Sequence, residues 1–269
     1  MRKLTIKIIS PLLSIIIIIT LITSCNCSQQ SNKTTKKEIE ADVKEFVYPL
    51  PTAFEVTEML NRIGAAYILT LSNPATNVNK YLTEKTQALN LGVYGADLSY
   101  ASTYRQRQET MEYMTVSKVL IEELNLSAAV DPDIMEKLEQ AGDDKEKLIK
   151  IITDSFYGTY NYLRKNDRGG VSSIIMAGSW IEGLYIATHI SEDTFNNKEM
   201  VKIILDQKKS LDMLLDIMKK EVSEPDVQEV YNDLKPLNDI YDSIEVDAIT
   251  EDQLNGIKVA VRELRDRII

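Results

Sequence analysis

From Thr52 to the C-terminus, apolar residues return every three to four positions, and nearly every run is bracketed by helix punctuation. Thr52-Ala53-Phe54-Glu55 reads as a capping box, in which hydroxyl and carboxylate each satisfy an orphan backbone donor. Val56, Met59, Leu60, Ile63 and Tyr67 follow at helical spacing, and Asn73-Pro74 stops the run. A second helix is expected over 77–104, with Val78, Tyr81, Leu82, Leu89, Val93, Ala96 and Tyr100 inward, and a third over 108–125. Asp131-Pro132 opens a short helix that Gly142 closes. Further helices are expected over 144–165, 171–190 and 197–220. Another begins near Ser223, where Pro236 should kink or break it. Thr250-Glu251-Asp252-Gln253 is a second capping box, followed by Leu254, Ile257, Val261, Leu264 and Ile268. No run alternates with the period of a strand. The expected fold is all-α: an antiparallel bundle or array of about nine helices with short loops.

Two internal segments resemble one another. Residues 92–102, Gly-Val-Tyr-Gly-Ala-Asp-Leu-Ser-Tyr-Ala-Ser, align with residues 178–188, Gly-Ser-Trp-Ile-Glu-Gly-Leu-Tyr-Ile-Ala-Thr, at an offset of 86 residues. The helices before and after correspond in order, which suggests repeats over 52–142 and 143–245 followed by a final helix. Duplication and convergence on a close-packing pattern both account for it. In either case Gly92, Gly95, Gly178 and Gly183 lie inside helices, where glycine costs roughly 1 kcal/mol relative to alanine. Close approach of a neighbouring helix is the usual offset, so the two segments are expected to cross at the centre of the domain.

The N-terminus is a targeting signal. Arg2, Lys3 and Lys7 precede an apolar stretch from Ile8 to Ile22, about fifteen residues against the roughly 20 a membrane span needs. It ends in Leu21-Ile22-Thr23-Ser24-Cys25, which resembles the lipobox of bacterial lipoproteins. That resemblance implies diacylglyceryl attachment at Cys25 and removal of residues 1–24. Cys27 then has no partner, so neither a disulfide framework nor a cysteine metal site is expected. Residues 25–44 read as a lipid-anchored polar tether, reaching roughly 25 Å as a coil, and 45–269 as the helical domain. Asn26 after the cysteine implies sorting to the outer membrane, and the few acidic residues just beyond imply the periplasmic side.

Without residues 1–24 the chain keeps 28 basic and 41 acidic side chains, a net −13. Such a surface is repelled by nucleic acid and anionic headgroups, so no nucleic-acid partner is expected. Membrane attachment is expected through the anchor alone.

The chemistry-bearing residues are few. His189 and Trp180 are the only histidine and tryptophan. Glu182, Tyr185 and His189 share one helical face, as do Asp97, Tyr100 and Tyr104 on the matching segment. If the helices touch, these residues gather into an acid–aromatic cluster of Tyr94, Asp97, Tyr100, Trp180, Glu182, Tyr185 and His189. One reading is a small-ligand pocket walled by Trp180 and Tyr94, with Asp97 and Glu182 as polar groups. The other is a polar seam, carboxylates bonded to tyrosine hydroxyls, that fixes helix register. One histidine cannot supply a zinc site, the Glu-x-x-His pairs of di-iron bundles are missing, and no nucleophile elbow or phosphate loop is present. No cofactor or metal is expected.

The stretches 49–55, 91–100 and 178–185 resemble helical lipoproteins of the Bacteroidota that have no assigned activity. The expectation is a non-catalytic envelope lipoprotein that binds a protein or an envelope component. A small-molecule-binding or sensor module is the alternative, and an enzyme using Asp97 and Glu182 for acid–base chemistry comes third.

Overall fold

Thr83 starts the helix that organises the molecule. Its hydroxyl accepts from the backbone N–H of Thr86, and the Thr86 side chain returns the bond to the N–H of Thr83. A computed structural model describes residues 53–142, 144–245 and 249–269, and among them all regular structure is helical. In chain order the α-helices are α1 (Ala53–Arg62), α2 (Glu84–Thr103), α3 (Arg107–Glu123), α4 (Ile134–Ala141), α5 (Lys145–Lys165), α6 (Gly169–His189), α7 (Lys198–Met218), α8 (Pro225–Asp242) and α9 (Glu251–Ile268). Short 3-10 turns occur at Leu69–Leu71, Ala75–Lys80 and Ser127–Ala129.

Most helix starts fall where the punctuation put them. Asp144, Asn197 and Thr250 each accept bonds from the first amides of α5, α7 and α9, and the box of Thr250 with Gln253 is complete. Thr52 and Cys25 lie outside the described residues. The stretch from Ile63 to Leu82 departs from expectation. The first helix ends at Arg62, and Gly64 follows with φ +81°, a left-handed conformation that glycine adopts without penalty. The second helix begins seven residues later than the periodicity indicates. Leu82, expected inside, is 83% exposed, whereas Tyr81 is buried. Pro236 does not break α8, which runs through it. Its ring is on the exposed side, so the carbonyl it leaves unbonded is free to meet water.

Helices joined by short turns pack side by side, α2 with α3 and α7 with α8 among them. Tyr94 stacks on Tyr113 across α2 and α3, and the Tyr241 hydroxyl donates to the carbonyl of Ile204 (2.9 Å) across α7 and α8. The central pair is different. Arg168, which caps α6, bonds Glu84 at the start of α2 (2.6 Å), and Asp97 further along α2 lies within electrostatic reach of Glu182 on α6. The two helices therefore run in the same direction, side by side. Both are buried nearly all round: from Ala88 to Thr103 in α2 and over most of α6. Although α6 is long and apolar enough to cross a membrane, 89% of its apolar window is buried within the protein, as befits a core helix.

The glycines explain how two backbones come so close. A Cβ on Gly92 would lie 2.0 Å from the carbonyl oxygen of Ile175, and one on Gly178 would lie 1.9 Å from that of Leu89. The contact is reciprocal, and Leu89 to Ile175 repeats the 86-residue offset of Gly92 to Gly178. Gly95 serves another partner, since its missing Cβ leaves room for the Phe156 ring of α5. Around this pair, α1 packs on both α2 and α6, and so does α5. In addition α3 packs on α2 and α7 on α6, whereas α4 packs on α5 and α8 on both α6 and α7; α9 is laid against α6 and α8.

Candidate functional site

Little more than one turn beyond the glycine contact, the central pair carries charge into the core. Asp97 and Glu182 are fully buried. Arg265 of α9 answers Glu182 with a two-pronged ion pair: Nε donates to Oε2 (2.5 Å) and Nη2 to Oε1 (2.8 Å). The same Nη2 donates to the carbonyl of Leu71 (2.8 Å), and the guanidinium lies 4.0 Å over the Tyr185 ring. Tyr185 in turn stacks on His189 at 4.2 Å.

One guanidinium neutralises one carboxylate, and Glu182 holds it. Burial, then the neighbouring Glu182 charge, pushes the Asp97 carboxyl well above the usual carboxylate range. Burial raises Glu182 as well, opposed by Arg265. For Arg265, burial pulls downward but the Glu182 charge and hydrogen bonds outweigh it, and the guanidinium stays protonated. With Arg265 paired to Glu182, Asp97 is the carboxyl that its surroundings push towards the neutral form. Asp97 Oδ2 accepts from the backbone N–H of Asn73 (3.0 Å), while Oδ1 and the nearby Ser72 hydroxyl have no partner.

The remaining polar bonds show what the cluster does structurally. Residues 63–82 contain no α-helix, so their backbone groups need partners from elsewhere. The Tyr100 hydroxyl accepts from the N–H of Ile68 (2.8 Å), the Tyr94 hydroxyl donates to the carbonyl of Pro74 (2.9 Å), and Asp97 and Arg265 bond Asn73 and Leu71. The Asn73 side chain donates to the Tyr81 hydroxyl (2.9 Å) and to Asn90 (3.3 Å). Asn90 then donates to the carbonyl of Ile268 (2.6 Å). Side chains of α2 and α9 thus hold an irregular segment in place of a helical ladder, and tie the last helix to it.

The expected cluster is therefore gathered only in part. Asp97, Glu182, Tyr185 and His189 form one connected set, with Tyr100 beside it on α2, bonded to Ile68. Tyr94 and Trp180 do not wall a common pocket. Tyr94 faces Tyr81 and Tyr113, whereas the Trp180 indole donates to Ser210 on α7 (3.3 Å). They occupy equivalent positions on parallel helices and so face outward to opposite neighbours. Nor do the tyrosine hydroxyls bond the carboxylates, as the seam reading had it; those of Tyr94 and Tyr100 bond backbone instead, and that of Tyr104 has no partner. His189 donates through Nδ1 to the carbonyl of Tyr185 (2.9 Å), and its Nε2 is buried without a partner. Burial lowers its pKa to about 4, with the positive charges of Lys258, Arg262 and Arg265 on α9 contributing.

Arg265, the residue that completes the site, was not among the expected ones. A signal exists: it lies four residues after Val261 and one after Leu264, on the stripe that buries α9. Tyr67, Asn73, Tyr81 and Asn90 also belong to the network, and Tyr67 and Tyr104 pack against Tyr100. Among the described residues no group of three or more His, Cys, Asp or Glu is placed to hold a metal. A partly open crevice between α2, α3, α5 and α6 has about 20 Å³ of space, room for a water molecule. No protein-family model, curated protein or solved structure matches the chain.

Proposed function

We propose that this chain is a lipoprotein of the outer membrane, anchored at Cys25 and facing the periplasm, whose helical domain binds another protein or envelope component without catalysing a reaction. One observation carries the non-catalytic part. The only converging pair of carboxylates in the proposed cluster is sealed from solvent, and its members are engaged by Arg265 and by backbone. Acid–base catalysis needs a group within reach of a substrate, and this geometry offers the pair to none. The same bonds give it another occupation, that of holding residues 63–82 and α9 against α2. The resemblance to helical lipoproteins of the Bacteroidota and the lipobox ending in Cys25 support the location.

Two experiments test the reading. Replacing Cys25 by Ser should move the protein from the membrane fraction to the soluble one; retention in the membrane contradicts the anchor. Purification of the lipidated protein from its own membranes should recover a partner in fixed stoichiometry, and recovery of the chain alone contradicts the partner.

A further inference from the structure

The segment between α1 and α2 is attached unlike the helices around it. Among the described residues, every backbone–backbone hydrogen bond of residues 66–82 stays within the segment. Its ties to the rest of the protein run through side chains, chiefly those of Tyr94, Asp97 and Tyr100 on α2 and Arg265 on α9. Of its large apolar side chains only Leu71 and Tyr81 are buried, while Leu69 and Leu82 face solvent. Few buried apolar contacts and borrowed hydrogen bonds mark a unit that opens well below the cost of global unfolding. Both ends permit such opening. Gly64 is left-handed with open space around its α-carbon, and the capping box of Thr83 and Thr86 starts α2 without help from the segment.

The segment has one charged residue, Lys80, yet it lies over the buried charges. Ser72 and Asn73 sit directly on Asp97, whose Oδ2 accepts from the Asn73 N–H. Asp97 is also within hydrogen-bonding reach of Glu182. Two carboxylates bond each other only with a proton between them, and a neutral Asp97 can donate to Glu182 while still accepting from Asn73. The titratable groups that face Asp97 are Glu182 of α6, Arg265 of α9, Tyr113 of α3, Tyr94 and Tyr100 of α2, and Tyr67 and Tyr81 of the segment itself. Of these only Arg265 is positive, and Glu182 holds it. The neighbouring helices α1 and α5 meet α2 through Thr57 and Phe156, which do not ionise. An ionised Asp97 therefore needs water, and the segment keeps water out.

We propose that residues 63–82 form a strap that lifts from α2 and α9 as one unit, and that one proton shared by Asp97 and Glu182 holds it down. Lifting breaks the bonds at Ile68, Leu71, Asn73 and Pro74 together. It hydrates Asp97, which releases its proton to solvent, while Glu182 stays paired with Arg265. The group uncovered is a lone carboxylate and not an acid–base pair, so opening does not restore catalysis. The sign of the pH effect follows. Between the ordinary carboxylate value and the higher value of the closed form, the closed strap holds one proton more than the open one. Opening therefore becomes up to about tenfold easier for each unit by which the pH rises, and levels off above the closed-form value.

The test is amide hydrogen exchange of the full chain in detergent, read by NMR from about pH 5 to about pH 9 and corrected for the intrinsic base catalysis of exchange. The amides of Ile68, Leu71, Ser72 and Asn73 should share one opening constant, at least about a hundredfold larger than that of the buried amides of α2 and α6. That constant should climb with pH in the wild type and stay flat in Asp97→Asn, whose side chain keeps the neutral shape. Tyr100→Phe is the second variant. It removes the acceptor for the Ile68 N–H and should raise opening about fivefold at every pH with the slope unchanged. Protonation of His189 has the opposite sign, promoting opening as the pH falls, and Asp97→Asn leaves it in place. Strap amides that exchange only at the rate of the core, or at unrelated rates, overturn the proposal, as does an unchanged constant in Tyr100→Phe. A flat wild type, or a climb that survives Asp97→Asn, overturns the role of the proton.

Discussion

The glycine contact and the carboxylate pair lie on the same two helices, little more than a turn apart, and they are held by opposite means. At Gly92 and Gly178 nothing intervenes between the backbones, and shape alone decides. At Asp97 and Glu182 the helices carry charge that no neighbour on either helix can neutralise, so a third helix delivers Arg265. The first contact fails through any added atom. The second fails through any unmatched charge. Packing sets how near the central helices lie, and the ion pair sets where α9 and the irregular segment lie against them.

Mutations should separate the two. Gly92→Ala puts a methyl group 2.0 Å from the Ile175 carbonyl oxygen, which the backbone cannot yield without moving a helix. A loss of more than about 3 kcal/mol in denaturant unfolding is expected. Glu182→Gln leaves Arg265 buried and unpaired, and should cost about 3 kcal/mol or slightly more. Asp97→Asn should be far milder, because burial and the Glu182 charge push this carboxyl towards its neutral form, which Asn matches in shape. A loss below about 1 kcal/mol at neutral pH is expected, and one as large as that of Glu182→Gln would show Asp97 to be ionised. Gly183→Ala is the control on the same helix. Its Cβ would meet Ala53 at 3.6 Å, an ordinary contact, so it should be neutral or add up to about 0.5 kcal/mol through helix propensity.

The pH dependence of stability carries the same contrast. The folded-state pKa of His189, about 4, is below its unfolded value of 6.5, so stability is complete above pH 6.5 and falls as pH drops towards 4. Asp97 has the opposite sign. Its raised pKa gives stability at low pH that is lost as pH rises through the folded value. His189→Gln should flatten the acid limb of a melting-temperature profile, and Asp97→Asn the alkaline limb. Unchanged limbs would show that neither group titrates as its surroundings demand.

The sequence made the helices and the central contact legible because both are local signals. Caps, period and interior glycines are written within a few residues of where they act. Thr250, Asn197 and Gly178 each did what their positions implied. The apolar spacing on either side of Asn73-Pro74, in residues 63–72 and 77–82, continues the helical period, which is why helix is expected there. The real conformation of residues 63–82 depends on Tyr100, Asp97 and Arg265, the last nearly two hundred residues away. The acid–aromatic cluster was half legible for the same reason. Asp97 and Glu182 met because the helices touch, but nothing near them in sequence announces that α9 would supply the counter-charge. Tyr94 and Trp180 meet different neighbours because helical phase gives the face of a residue relative to its own axis, and not which neighbour that face meets.

The account stands on α2 and α6 running parallel, and pairs of spin labels report this directly. With Cys25 and Cys27 replaced by Ser, labels at Leu82 and Asn166 mark the starts of the two helices, and a label at Glu192 marks the end of α6. A helix of about 20 residues is about 30 Å long. The Leu82–Asn166 distance should therefore be shorter than Leu82–Glu192 by at least about 10 Å. The reverse order would mean that the central helices are antiparallel, and the shared glycine contact and the buried charge cluster would fall with that result.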